Sequence, residues 1–209
     1  MQMKQEILRV AEQLLKEHGY DKATYQMIAD VLGISKSVIT YHFKSKPLLV
    51  SRIFENYIYE IDAYIKANLT DGYNCYLYHC IVHICLYREV LKNERNKAIF
   101  FHKELFDLWF NEKISSIEDY LREIANESNK DFTEEDIHIN AVINQGAKKS
   151  IFEEYLRNPG SISTYKLCYH YVYLLGMLSM LDESAILKNI IRAFDFVDSH
   201  TYPQIYLLT

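Results

Sequence analysis

The chain is poor in the residues that break or staple a fold. Only three prolines and six glycines punctuate 209 residues. An all-β protein needs turns at short intervals, so this scarcity weighs against one and favours long helices. Cysteine is also sparse. Cys75, Cys80 and Cys85 recur every five residues, which on a helix is a step of roughly 140°, so the three share no face. They suit neither a disulfide framework nor a metal cluster, and buried thiols are expected. No apolar run reaches the ~18 residues of a membrane span. The longest candidate, Tyr171–Leu181, is interrupted by Gly176 and Ser179. The first residues, Met1 to Glu6, lack the pattern of a secretory signal. A soluble, cytoplasmic protein without a membrane partner is the expectation. Recognisable catalytic signatures are missing too. There is no Gly-rich phosphate loop, no Gly-x-Ser-x-Gly elbow and no HExxH. The expectation is therefore no enzyme and no cofactor, with an all-helical hydrolase or haem protein as the alternative.

What is present is a core and an uneven charge. Apolar residues make up 49% of the chain, enough for a globular interior. The net charge is −5, which by itself argues against a polyanionic partner. Its distribution argues otherwise. Residues 1–52 carry eight Lys and Arg against five Asp and Glu, and the remainder carries fifteen against twenty-three. The basic excess lies in the first quarter of the chain.

Periodicity predicts helices throughout. Ile7, Leu8, Ala11, Leu14 and Leu15 form a helical stripe over about residues 2–18, and Gly19 stops it. Thr24 can cap a short helix ending at Gly33, Ser35 a second running to Phe43, and Ser45 a long one running to about Asp71-Gly72. Further helices are expected at about Tyr73–Lys92, Arg95–Phe110, Glu112–Glu127, Thr133–Arg157, Ser161–Leu181 and Glu183–Ser199. Thr133-Glu134-Glu135-Asp136 approximates a capping box, and Asn158-Pro159-Gly160 is a break. The last ten residues, with Pro203, are expected to be irregular.

Two short helices joined by Gly33-Ile34 form a helix-turn-helix arrangement, which lets the second helix enter a DNA major groove. Ile28, Ala29, Leu32, Ile34, Val38 and Ile39 can lock the pair, with Ala29 small where the helices approach. Lys36, Ser37, Val38 and Thr40 are then placed to touch bases, because lysine can pair with guanine and a methyl group can meet the thymine methyl. Tyr41, His42, Thr24 and Lys46 can donate to phosphate oxygens. Tyr25, beside Thr24 at the same edge, is a further candidate for DNA contact. Phe43 reads as a core aromatic, and Tyr41 as either core or phosphate contact.

Over Ile7–Leu49 the sequence resembles the N-terminal domain of TetR-family regulators. The resemblance is carried by Gly19-Tyr20, Thr24 with Ile28-Ala29, the turn Gly33-Ile34-Ser35, and Tyr41-His42-Phe43-Lys44-Ser45-Lys46. Departures are Ser37 where glycine is common, Thr40 where tyrosine is common, Pro47 in place of an acidic residue, and the bulky Tyr25. The resemblance implies an all-α fold with two domains. Residues 1–46 would be a three-helix DNA-binding domain, and 47–209 a larger helical domain that binds a small-molecule effector and dimerises through its last helices. It also implies a sequence-specific regulator, by family habit a repressor, acting as a homodimer on double-stranded DNA at a pseudo-palindromic operator. A helical adaptor without DNA binding is the alternative, against which the spacing and the presence of Tyr41 and Lys46 argue.

In the second part, Tyr76, His79, His83 and Tyr87 fall on one helical face. With Phe101 and Trp109 they are the candidate effector contacts, since a few polar groups among aromatics can orient an apolar ligand. The other reading is a set of satisfied core groups. A metal site from His79 and His83 would need further ligands such as His102 or His138. The segment Ser161–Leu181 is apolar on every side after Leu167, and Gly176 and Ser179 would allow close approach. Ile186, Leu187, Ile190, Phe194 and Val197 give the following helix one apolar face, so a four-helix dimer interface is plausible.

Overall fold

A computed structural model describes residues 2–69, 72, 74–111 and 114–200. Among them the chain forms eleven α-helices and no strand: α1 Gln2–Lys22, α2 Tyr25–Leu32, α3 Lys36–His42, α4 Lys46–Asn68, α5 Cys75–Lys92, α6 Glu94–Phe100, α7 Lys103–Asn111, α8 Ile114–Glu127, α9 Glu134–Arg157, α10 Thr164–Leu178 and α11 Glu183–Ser199. The all-α expectation holds. Expected helix ends at Asp71, Tyr73 and Glu112, and the tail around Pro203, lie outside the described residues. No helix among the described residues is long and apolar enough to cross a membrane.

The described residues divide into two compact units. One comprises 2–60 and 89–108, the other 61–88 and 109–200.

The first unit is built on α1. Ile7, Leu8, Val10, Ala11, Leu14 and Leu15 are buried, the stripe that the periodicity predicts. Gly19 breaks the helix with φ 76° and ψ 176°, a backbone position that a side chain would strain. The turn carries Tyr20 and Ala23 into the core with Ile28, Ile39, Leu49 and Phe54. One expectation fails here. The single helix over Arg95–Phe110 is two, α6 and α7, with a turn at Phe101-His102. No proline or glycine marks it. The turn closes by short backbone bonds, from His102 N–H to Ile99 C=O and from Leu105 N–H to His102 C=O. It is held where the His102 ring stacks on Tyr20 at 4.0 Å and faces the Asp21 carboxylate at 3.2 Å.

In the second unit α5 is the buried centre, with Leu77, Cys80, Ile81 and Ile84 fully enclosed. All four cysteines are buried free thiols. α9 opens with the anticipated capping box: Thr133 Oγ1 accepts from the Asp136 N–H, and the Asp136 carboxylate accepts from the Thr133 N–H. Gly160, at φ 91°, turns the chain towards α10. α10 and α11 pack together with Tyr76 between them. The Tyr76 hydroxyl donates to Val172 C=O over 3.0 Å and lies beneath Gly176. The small residues Gly176 and Ser179 therefore serve close packing inside the chain, where both are buried. Ile186, Ile190, Phe194 and Val197 are likewise turned into the unit's own core.

Candidate functional site

The geometry around α2 and α3 is set by caps and a few buried anchors. Thr24 caps α2, its side chain accepting from the Met27 N–H at 3.2 Å. Gly33 ends the helix in the left-handed region at φ 65°, with its N–H returned to Ala29 C=O. The Ile34 N–H reaches the same carbonyl over 3.1 Å, so the inter-helix turn is fully bonded. Ser35 precedes α3 in an extended conformation but makes no side-chain cap. Its hydroxyl pairs instead with that of Ser37 at 2.7 Å.

α3 is held from below. Ile28, Ala29 and Ile39 are buried between the two short helices, and Phe43 is buried just past the end of α3. Leu32, Ile34 and Val38 are only half-buried at the margin of this contact. The Tyr25 hydroxyl donates to Phe43 C=O over 3.0 Å, tying the start of α2 to the end of α3. Burial pushes the Tyr25 phenol up to about 12, so it remains a donor.

The opposite face of α3 is free for a partner. Lys36, Ser37, Thr40 and Tyr41 are exposed, with Tyr41 at 84%, and Val38 and His42 are half-exposed. The contrast with Phe43, at 4%, keeps Phe43 as the expected core aromatic and takes Tyr41, which the sequence leaves open, out of the core. Thr40 Oγ1 donates back to Lys36 C=O at 3.1 Å, which leaves its methyl group free for an apolar contact. Thr24 is exposed beside this face.

Lys46, at the start of α4, is differently placed. Its ammonium stands over the Tyr20 ring, 4.3 Å from the centroid, and donates to Tyr20 C=O. The Tyr20 hydroxyl donates to the Glu104 carboxylate at 2.8 Å. Burial lowers the Lys46 pKa, and the carboxylates of Asp21 and Glu104 oppose the shift. An ammonium has three donors, and the Tyr20 carbonyl occupies one. This box of α1, α4 and α7 residues has no periodic signal in the sequence, because its members come from three distant segments.

The second unit holds a buried polar cluster. His79 and His83 lie one helical turn apart on α5 with ring centroids 4.0 Å apart, and a His83 ring nitrogen bonds to His79 C=O at 2.9 Å. His83 stacks on Tyr171 of α10 at 5.2 Å, and Tyr87 packs against the same ring at 4.5 Å. Lys148 of α9 completes the group, with its Nζ 3.8 Å from the Tyr171 centroid and no exposed surface. Burial, with the neighbouring Lys148, pushes His83 down to about 3 and takes His79 well below its usual value.

The predicted effector residues are thus only partly gathered. His79, His83 and Tyr87 meet around Tyr171. Tyr76 spends its hydroxyl on α10. Trp109 belongs to the same unit, where its carbonyl accepts from Gln145 Nε2 at 3.3 Å. Phe101 belongs to the other unit, against Phe100 and Phe106. Sequence reasoning missed Asn144 and Lys148. The signal was available, since both continue the buried stripe Ile137, Ala141 and Phe152 of α9 at helical spacing.

Residues 7–53 match the family described as "Bacterial regulatory proteins, tetR family". None of the curated proteins matches the chain. Among solved structures, AmtR from Mycobacterium smegmatis aligns over 96% of each chain at 13% identity with a TM-score of 0.44. The fatty acid degradation regulator FadR from Bacillus halodurans aligns over 84% of this chain and 94% of its own, at 16% identity with a TM-score of 0.45.

Proposed function

We propose that this chain is a DNA-binding regulator of the TetR family, the family that its residues 7–53 match, and that it is a homodimeric cytoplasmic repressor, released from a pseudo-palindromic operator by a small-molecule effector. The observation that carries the DNA half is the two-sided α3. Ile39 and Phe43 anchor one face, while Lys36, Ser37, Thr40 and Tyr41 are left to solvent on the other. Lys36, Ser37, Val38 and Thr40 read base edges. Thr24, Tyr41, His42 and Lys46 hold phosphates, and Tyr25 sets the end of α3.

The effector half rests on the buried cluster of the second unit. A burial that leaves polar groups without partners costs stability, and a ligand that supplied the partners would offset that cost. The division at residue 46 into a reading domain and a responding domain is part of the same proposal. α4 is the proposed lever, because its residues fall in both compact units. The protein carries out no reaction of its own in this reading.

Selection of bound duplexes from a random pool, with the full chain, tests the proposal. The expected product is an inverted repeat whose half-sites face two recognition helices about 34–36 Å apart, or a multiple of it. Affinity should fall steeply with salt as phosphate contacts release counterions. Enrichment of single unpaired half-sites, or of no sequence, overturns the dimeric operator reading.

A further inference from the structure

The polar groups around Tyr171 are unusual in what they lack. Lys148 is fully buried, and its ammonium has no hydrogen-bond partner. One turn away on the same face of α9, Asn144 is also fully buried, with neither its amide nitrogen nor its oxygen bonded. Opposite, His79 of α5 is fully buried with both ring nitrogens unbonded. The packing of α5 and α9 therefore encloses one amine, one amide and one imidazole with their capacity unspent. Asn144 and Lys148 adjoin through their register on α9. Lys148 acts electrostatically on both histidines, and it shares the Tyr171 ring with His83.

The unspent capacity has a sign. Once protonated, Lys148 offers three donors, beside two from Asn144 and one from neutral His79, against one amide oxygen and one imidazole nitrogen as acceptors. Among the described residues, the one ionisable group that favours the charged form of Lys148 is the Cys80 thiol, which burial itself keeps protonated. Burial accordingly takes the Lys148 amine well below its usual pKa. An oxyanion brought to this position would supply the missing charge and accept from all three side chains. One lysine balances one negative charge. A phosphate dianion would leave a second charge buried without compensation, which is costly. The rings of Tyr87, Tyr120, Phe152 and Tyr171 surround the polar centre, so the rest of the ligand meets aromatic surface.

We propose that the Asn144–Lys148 turn of α9, facing His79, is the anion-holding end of the effector site, and that the effector is an apolar or aromatic monocarboxylate. The assignment rests on the effector-released reading above for its consequence on DNA, but not for its binding chemistry.

The test pairs carboxylates with neutral counterparts of the same body. Octanoate and octanol, and 4-phenylbutyrate and 4-phenylbutanol, are titrated into the full chain by calorimetry and thermal shift. At least one carboxylate should bind more than about tenfold tighter than its alcohol, a preference of about 1.4 kcal/mol. Lys148→Met should abolish that preference. The same substitution should raise the melting temperature of the ligand-free protein, because it replaces an unbonded buried amine by a slightly shorter apolar chain. Asn144→Leu is the second variant and should also lose the preference, which covers a Lys148→Met protein that fails to fold. Equal binding of acid and alcohol, no binding of either carboxylate, or an unchanged preference in both variants each overturns the site. Lys148-dependent carboxylate binding that leaves operator affinity unchanged upholds the site and refutes the effector-released reading instead.

Discussion

The Lys46 ammonium stands 4.3 Å from the centre of the Tyr20 ring and donates to the carbonyl of the same residue. One side chain thus fastens the start of α4 to the turn that ends α1. It does so at the edge of the surface where a DNA phosphate would lie. Two contributions are lost together in Lys46→Ala. A cation–π contact and a charge-assisted hydrogen bond on a half-exposed group contribute about 1–2 kcal/mol to folding. In its proposed role the side chain would also hold a DNA phosphate, releasing one counterion per protomer on binding. The expected outcome is a lower urea midpoint and weaker binding to all DNA sequences by a similar factor, with a shallower salt slope. Thr40→Ala should instead change base preference and leave the slope unaltered. A Lys46→Ala protein with unchanged midpoint and slope would remove Lys46 from both roles.

Two helical glycines make opposite predictions from the same substitution. Alanine in a helix interior is favoured over glycine by about 0.8–1.0 kcal/mol. At Gly146 of α9 an added methyl meets nothing within 4 Å, so Gly146→Ala should raise the melting temperature by a few degrees. At Gly176 of α10 the methyl would stand 2.7 Å from the Tyr76 hydroxyl oxygen and 2.9 Å from Ile186. Tyr76 cannot swing away without losing its bond to Val172 C=O. Overpacking of this kind costs about 1–3 kcal/mol, which exceeds the propensity gain. Gly176→Ala should therefore melt lower than the parent, as measured by circular dichroism.

These contrasts show what the sequence made legible. The α1 stripe, the Thr24 and Thr133 caps, the left-handed Gly33 and the break at Gly160 are all local, and local rules place them. The helix-turn-helix is legible for the same reason, since its turn, anchors and exposed face fall within some twenty consecutive residues. What was not legible depends on distant partners. The α6–α7 turn has no breaker residue and is held by Tyr20 and Asp21, eighty residues away in sequence. The apolar face of α11 suggests an interface with a second copy, whereas Ile190 and Phe194 fill the chain's own core. Lys148 looks like any surface lysine until its register with Phe152 is noticed.

Glu12 gives a pH prediction of definite sign. Burial, reinforced by Glu60, pushes its carboxyl up to about 7 from an ordinary value of 4.5. A folded pKa above the unfolded one means that the folded state binds the proton more tightly. Its contribution is complete below about pH 4.5 and is lost as pH rises through about 7. Glu12→Gln mimics the protonated form at every pH. The variant and the parent should therefore melt alike near pH 4.5, and the variant should be the more stable above pH 7. Glu12 is partly open to solvent, so the gap should be well under the full value of the shift, on the order of 1 kcal/mol. Parallel melting curves across this range would show that Glu12 ionises freely in the folded protein.

The proposed dimer can be tested, and its surface located, by placing charge on it. The inner face of α10 is committed to Tyr76 and α11, whereas its outer side leaves Tyr165 and Met177 exposed at 52% and 55%. Ile191, on the outward side of α11, is 60% exposed. α10 and α11 are tied to each other by the Tyr165 and Phe194 rings, 4.6 Å apart, so their outward residues belong to one packed pair. A twofold interface built there would bury each of these side chains against its counterpart or a neighbour. A second exposed apolar row, Ile139, Val142 and Ile143, runs along α9 and offers a competing face. A glutamate placed in a true interface must be desolvated without a partner, once on each protomer, at several kcal/mol in total. Met177→Glu/Ile191→Glu should therefore weaken self-association on the order of a thousandfold, a change of about 4 kcal/mol. Light scattering at micromolar concentration should show the parent at twice the chain mass and the variant at the chain mass. Operator binding should fall with it, because each protomer alone reaches one half-site. The circular dichroism melt should change little, since all the substituted positions are on the surface of the protomer. Ile139→Glu/Ile143→Glu should remain dimeric. If that variant dissociates and the α10–α11 variant does not, the twofold axis passes along α9.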